Sequence, residues 1–188
     1  MIIIETPRLI LRDHISEDLE PMHAVLSDAA VTWYLPEMHM YDIEQTKDYL
    51  ISTMRDIDAL PRMRYNLAIS DREGQYLGEV GLHYIDGTPN NAHCGLGYFV
   101  RSDRWNQDIC TEAVRAAVAF IFDNGACRVS ASCLAENLAS RRVLEKCGFT
   151  QEGMLRAHTW HDSHWKDCAV YSLLRDEFSG RKRQCFVN

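Results

Sequence analysis

The feature that most restricts the fold is a change of apolar period just after Arg101. Cys110, Ala113, Val114, Ala117, Val118 and Ile121 recur three and four apart, so they share one face of a helix. That helix ends near Asn124-Gly125, where glycine supplies a left-handed cap. Val129, Ala131 and Cys133 then alternate as a strand. With a strand over Cys94 to Val100 ahead of the helix, this makes a crossover unit, and a short helix from Asn137 to Lys146, closed by Gly148 with Phe149 packing back, leads to a strand over Gln151 to Arg156. A parallel crossover sets a helix N-terminus at the carboxyl end of a strand. Free N–H groups and a partial positive charge make such a terminus a seat for a pyrophosphate.

The first half reads differently. Leu9-Ile10-Leu11-Arg12 forms a strand, Ser16 caps a helix reaching about Ser27, and an amphipathic helix covers Ile43 to Ala59 and stops before Pro61. Leu67 to Ile69, Tyr76 to Leu82 and Cys94 to Val100 are strands. The spacers Asp71-Arg72-Glu73-Gly74 and Asp86 to Asn91 are too short for a crossover helix, so these strands form an antiparallel meander. A last strand, Asp167 to Leu174, follows a His- and Trp-rich loop. The expectation is an α/β fold with about seven strands and about four helices, one domain over residues 1–178, and a basic tail at 179–188.

Composition narrows the function. At 188 residues, 46% apolar and 25% charged, the chain suffices for one well-buried core. No run approaches the roughly 20 apolar residues of a membrane-spanning helix, and Met1 to Ile4 is broken at once by Glu5 and Pro7, so neither membrane association nor a signal peptide is expected. Net charge is −7 and the only basic cluster is Arg181-Lys182-Arg183, which argues against nucleic-acid binding. Seven cysteines without a CxxC pair read as reduced core thiols of a cytoplasmic protein. His158, His161 and His164 lack a fourth ligand, so no metal is expected.

Several blocks resemble a known family. Gly97-Tyr98-Phe99-Val100, Trp105, Thr111-Glu112-Ala113-Val114, Glu136 to Phe149, Glu152-Gly153 and Arg156 are similar to the GNAT N-acetyltransferases, and to their ribosomal-protein-alanine branch. Glu5 to Arg12 and Tyr171 to Leu174 extend the likeness over nearly the whole chain. The resemblance implies a sheet splayed in the middle, with the pantetheine arm of acetyl-CoA, a co-substrate, held in the gap by backbone groups of Phe99 and Val100. It implies a loop of Arg104, Trp105, Asn106, Gln107, Asp108, Ile109, Cys110 and Thr111 wrapping the pyrophosphate. Asn137 then contacts the pantetheine or acyl end, and Ser140 protonates the departing thiolate. Trp160, His161, Trp165 and Tyr171 lie on the acceptor side. The acceptor is a small-molecule amine or a protein N-terminus, and a homodimer is compatible with the branch.

The chemistry makes these parts intelligible. An amine of pKa near 10.4 is neutral in only about one molecule in 2,500 at pH 7, so a base or a site that lowers its pKa is needed. Negative charge gathers on the thioester oxygen as nitrogen adds, and a preset N–H on Val100 stabilises it. Direct attack in a ternary complex follows, since Cys110, Cys133 and Cys147 all read as core residues.

The chain departs from the family at three positions. Asn106 and Asp108 stand where relatives carry glycines, and Asp108 brings a carboxylate towards a phosphate site. Relatives often place a glutamate where this chain has Gly95, which leaves Glu79, His83 and His93 as candidate bases, Glu79 foremost. These departures motivate an alternative, a catalytically impaired coenzyme A sensor or interaction module. A transferase for longer acyl chains is a third reading. Blander roles stand beside the sharp ones: Asn137 as a helix cap, Glu112 as support for a helix start, Tyr171 as a core aromatic.

Overall fold

The computed structural model describes residues 1–88 and 90–178. Its strands are β1 (Ile3–Glu5), β2 (Leu9–Asp13), β3 (Arg64–Asp71), β4 (Tyr76–Thr88), β5 (Asn91–Val100), β6 (Ala126–Leu134), β7 (Thr150–His161) and β8 (His164–Leu174). They form one sheet in the order β1-β2-β3-β4-β5-β6-β8-β7, antiparallel throughout except for β5 beside β6. The helices are α1 (Leu19–Leu26), α2 (Ala29–Thr32), α3 (Ile43–Ile57), α4 (Ile109–Asp123) and α5 (Leu138–Lys146).

The sheet has eight strands where seven were expected. The extra one, β1, is three residues long and only Ile4 is buried, too short for alternation to announce it. The expected loop from Asp86 is strand instead, since β4 runs to Thr88 and β5 begins at Asn91. The His- and Trp-rich loop is also a hairpin: Thr159 faces Lys166, Trp160 faces Trp165, and His161 faces His164. Its two turn residues, Asp162 and Ser163, take φ of 48° and 59°. Both central residues at positive φ match the strand twist, which is why a two-residue turn closes here without glycine. The first helix begins at Leu19 rather than at Ser16: Ser16–Asp18 is a 3-10 turn, and the Asp18 carboxylate takes the Ile15 N–H at 3.0 Å. The basic tail lies outside the described residues.

Two apolar clusters sit on opposite faces. Val80, Leu82, Leu96 and Val100 pack with Ala113, Val114, Ala117, Val118 and Ile121 of α4, as the period predicts. Ala68, Tyr76 and Phe99 pack with Met22, Val25 and Leu26 of α1, Val31 of α2 and Leu50 of α3. Burying a side chain such as Leu82 or Ile121, both at most 1% exposed, contributes roughly 1.5–3 kcal/mol. Gly125 ends α4 at φ +99°, and a Cβ there would stand 2.8 Å from the Asn90 nitrogen.

Candidate active site

β5 and β6 part company midway. They pair from Ala92 opposite Ala126 to Gly95 opposite Ser130, and no further, although β5 runs on to Val100 and β6 to Leu134. β5 instead stays on β4 as far as Val100 opposite Gly78, where a Cβ would lie 2.1 Å from the Phe99 carbonyl oxygen. Only glycine permits that approach, and following the twist of β4 carries β5 away from β6.

The ladder decides which backbone groups face the gap. Arg101 N–H donates to the Leu77 carbonyl at 2.9 Å. Antiparallel alternation then turns the groups of Phe99 and Gly97 towards β4 and those of Tyr98 and Val100 into the gap. Phe99 was expected to hold the arm through its backbone; that backbone is committed to Glu79 across the ladder, and the groups left facing the gap are those of Tyr98 and Val100. The Val100 carbonyl already accepts the Trp105 indole N–H at 2.9 Å, which ties the next loop to the end of the strand.

That loop is a nest of amides. Asn106 and Asp108 take φ of 60° and 58°, the left-handed region that asparagine and aspartate enter most readily after glycine. None of the backbone N–H groups from Asn106 to Thr111 donates to a described residue, and the first turn of α4 leaves Ile109, Cys110 and Thr111 open by construction. The nest is braced from outside: Arg8 donates to the Gln107 carbonyl at 2.9 Å, and the Glu112 carboxylate takes Thr6 Oγ1 at 2.6 Å and Arg8 Nε at 2.7 Å. Glu112 therefore clamps the β1–β2 turn to α4 as well as serving the helix start. Asp108 points to Lys146 at the end of α5, Nζ to Oδ1 2.6 Å, and the ammonium holds its carboxyl below the usual range. Ile109 is buried and offers only its amide.

On the α4 face, Asn137 caps α5 by accepting the Ser140 N–H at 3.1 Å, so the blander reading of Asn137 holds in this structure. Ser140 Oγ lies 2.9 Å from the Tyr98 hydroxyl, and that hydroxyl also reaches the Ser140 carbonyl at 3.1 Å. Burial pushes the Tyr98 phenol far up, so it stays protonated. If Tyr98 donates to Ser140 Oγ, the serine proton is left to point elsewhere.

On the opposite face, Glu79 sits in a buried polar chain. Its Oε1 accepts from Tyr49 at 2.6 Å and its Oε2 meets His14 Nε2 at 3.0 Å. His14 Nδ1 faces Asp18 at 3.1 Å, and Arg12 grips Asp18 with two bonds of 2.7 and 2.8 Å. With a carboxylate against each ring nitrogen, His14 must donate from both. Burial opposes that charge, yet the bonds to Asp18 and Glu79 prevail and lift the imidazolium to about 9. Tyr171 is fully buried under α5, with its hydroxyl among Arg141, Glu145 and Gln151, which is the core-aromatic position and not a place on an open surface.

The β7–β8 hairpin and α2 border an open aromatic pocket of about 470 Å³, lined by Trp33, His39, Tyr41, Trp160, His161 and Asp162 among others. His161 Nε2 reaches the Trp33 carbonyl at 2.5 Å, and its buried Nδ1 has no partner among the described residues. Trp165 leans edge-on against Trp160, centroids 5.5 Å apart, and is not among the lining residues.

Residues 8–150 of the chain match the family model described as an acetyltransferase (GNAT) domain. The chain belongs to the GNAT acetyltransferases. It is 30% identical to an uncharacterized N-acetyltransferase, YoaA of Bacillus subtilis, over 92% of this chain and 97% of that one. As a GNAT enzyme it is an acetyl-CoA-dependent acyltransferase. Two solved structures share the fold at low identity. The ribosomal-protein-S5-alanine acetyltransferase of Vibrio fischeri superposes with a TM-score of 0.79 at 18% identity, covering 95% of this chain and all of that one. The spermidine N-acetyltransferase of Vibrio cholerae, solved with CoA and spermine, gives 0.78 at 16% identity, covering 92% and 99%.

Sequence reasoning missed four participants. Tyr98 was quoted as part of a motif but assigned no partner, and Lys146, His14 and Tyr49 act across distances of 30 residues or more, where spacing carries no signal.

Proposed function

We propose that the enzyme transfers an acetyl group from acetyl-CoA to a primary amine by direct attack in a ternary complex. The observation that carries this is the continuity of the gap after Gly95 with the open amides of Asn106 to Thr111. The nest suits a diphosphate, since a helix N-terminus and unpaired N–H groups both favour anions. Lys146 offsets the carboxylate of Asp108, and both glycine replacements adopt the backbone that glycine would, which weighs against the impaired-sensor reading.

Acetyl-CoA, when bound, supplies an activated acyl group. The chain's own groups do the rest. Amides of Tyr98 and Val100 face the gap and stabilise an oxyanion better than a ground-state carbonyl. Ser140, backed by Tyr98, gives a proton to the leaving sulfur. Cysteine nucleophiles are disfavoured, because burial pushes Cys110 up to about 12 and Cys147 up to about 11. The aromatic pocket beside α2 suits the body of the acceptor, with Trp160, His161 and Trp33 as contacts. The relatives above act on a ribosomal protein and on a polyamine, which supports an amine acceptor while leaving its size open.

The test is thermal melting with and without acetyl-CoA, followed by thiol release with a panel of amines and peptides. Ligand at about a hundred times its Kd adds roughly 2.7 kcal/mol. A shift with thiol release supports transfer; a shift without release from any acceptor favours the sensor.

A further inference from the structure

The transfer reading needs a base. The titratable groups that β4 and β5 present on the α1–α3 face are Tyr76, Glu79, His83, Asp86 and His93; Tyr76 is buried and its phenol is pushed far up, and Asp86 lies beyond His83, opposite His93 and away from the gap. Glu79 has a donor on each oxygen, and one of these is an imidazolium, which makes it a poor proton acceptor. His93 Nε2 is held by Ser130 Oγ at 2.7 Å. His83 makes no hydrogen bond to a described residue, and its ring covers Gly95, where a Cβ would come within 2.2 Å of Cε1.

Gly95 is also the last residue of β5 that pairs with β6, so His83 sits on the lip where the gap begins. The rows of the sheet place the neighbours. Arg64, His83 and Gly95 form one row; Asn66, Gly81 and Gly97 the next; Ala68, Glu79 and Phe99 the third. Gly97 is exposed, and a Cβ added there would meet nothing within 4 Å. Two residues along a strand span about 6.6 Å, so a nitrogen above Gly97 lies within reach of His83 directly or through one water.

We propose that His83 is the general base that deprotonates the acceptor amine, in a position that Gly95 leaves open for its ring. This rests on the transfer reading above. The acceptor ammonium gives up two protons overall: one is taken by the free lone pair of His83 and passed to solvent, and the other, released as the C–N bond forms, replaces the proton that Ser140 gives to the coenzyme sulfur as the C–S bond breaks. The titratable neighbours of His83 are Arg64 on β3, His93 on β5 and Glu79 two rows along β4; burial lowers the pKa of His93 and leaves it neutral at pH 7. Partial burial, and then Arg64, lower its pKa below the ordinary histidine value, so the ring is neutral and able to accept at pH 7.

The experiment compares the unmodified enzyme with His83→Gln and with Gly95→Ala, using an amine that gives thiol release. For His83→Gln the expectation is a drop in kcat of about 100-fold or more at pH 7, an unchanged Kd for acetyl-CoA, and loss of the acid limb of the kcat/KM–pH profile. Partial rescue of His83→Ala by added imidazole is expected as well. Gly95→Ala collides with the ring and should lower kcat, with the acetyl-CoA thermal shift reporting that the variant is folded. Retention by His83→Gln of more than half of kcat with an unaltered pH profile would overturn the proposal. Absence of thiol release from the unmodified enzyme with every amine would overturn the transfer reading and this inference together.

Discussion

The buried chain Arg12–Asp18–His14–Glu79–Tyr49 makes stability fall on the alkaline side of neutrality. His14 is 1% exposed and its pKa is raised from 6.5 to about 9 in the fold. Below pH 6.5 the folded and unfolded chains both carry the proton and the benefit is complete. Between the two values the unfolded chain releases it while the folded chain keeps it, so stability drops by about 1.4 kcal/mol per pH unit. Over some 2.5 units this amounts to about 3 kcal/mol. Asp18 is held well below its ordinary value by Arg12 and His14, so its contribution is lost only in acid and does not overlap this window. Urea unfolding of the unmodified protein and of His14→Gln at half-unit steps from pH 6 to 9.5 isolates the effect, because other groups cancel in the difference. The advantage of the unmodified protein should shrink by about 3 kcal/mol across the range, or roughly 6–12 °C in melting temperature. A difference that stays constant from pH 6.5 to 9 would refute a doubly bonded imidazolium at this site.

Ser140→Ala should lower kcat about 10- to 100-fold and leave acetyl-CoA binding unchanged by calorimetry. Lys146→Ala should weaken coenzyme binding several-fold in the unmodified chain and much less in an Asp108→Gly background; equal losses in both would mean that Lys146 does not act through Asp108. Trp160→Ala should raise the KM for the acceptor with little change in the Kd of acetyl-CoA, read by steady-state kinetics against thermal shift. Gly78→Ala should unfold at markedly lower temperature, because its Cβ meets backbone at 2.1 Å rather than a side chain that can move.

Local signals carried much of this protein's description. The period of Cys110 to Ile121, the glycine stops at Gly125 and Gly148, and the meander of the first half are properties of neighbouring residues, and each appears where its spacing put it. Asn106 and Asp108 could be read as replaced glycines, and their left-handed backbone follows from side chains that tolerate it. Other features arise only when distant segments meet. β1 exists because β2 pairs with it, the hairpin replaces a loop because Trp160 finds Trp165, and Glu79 loses its candidacy as a free base because His14 and Tyr49 arrive from elsewhere in the chain. Phe99 and Tyr98 differ by one residue, yet the ladder hands one to β4 and the other to the gap. Periodicity records which face a side chain takes; partners across the sheet decide which polar groups remain free, and chemistry is done by the free ones.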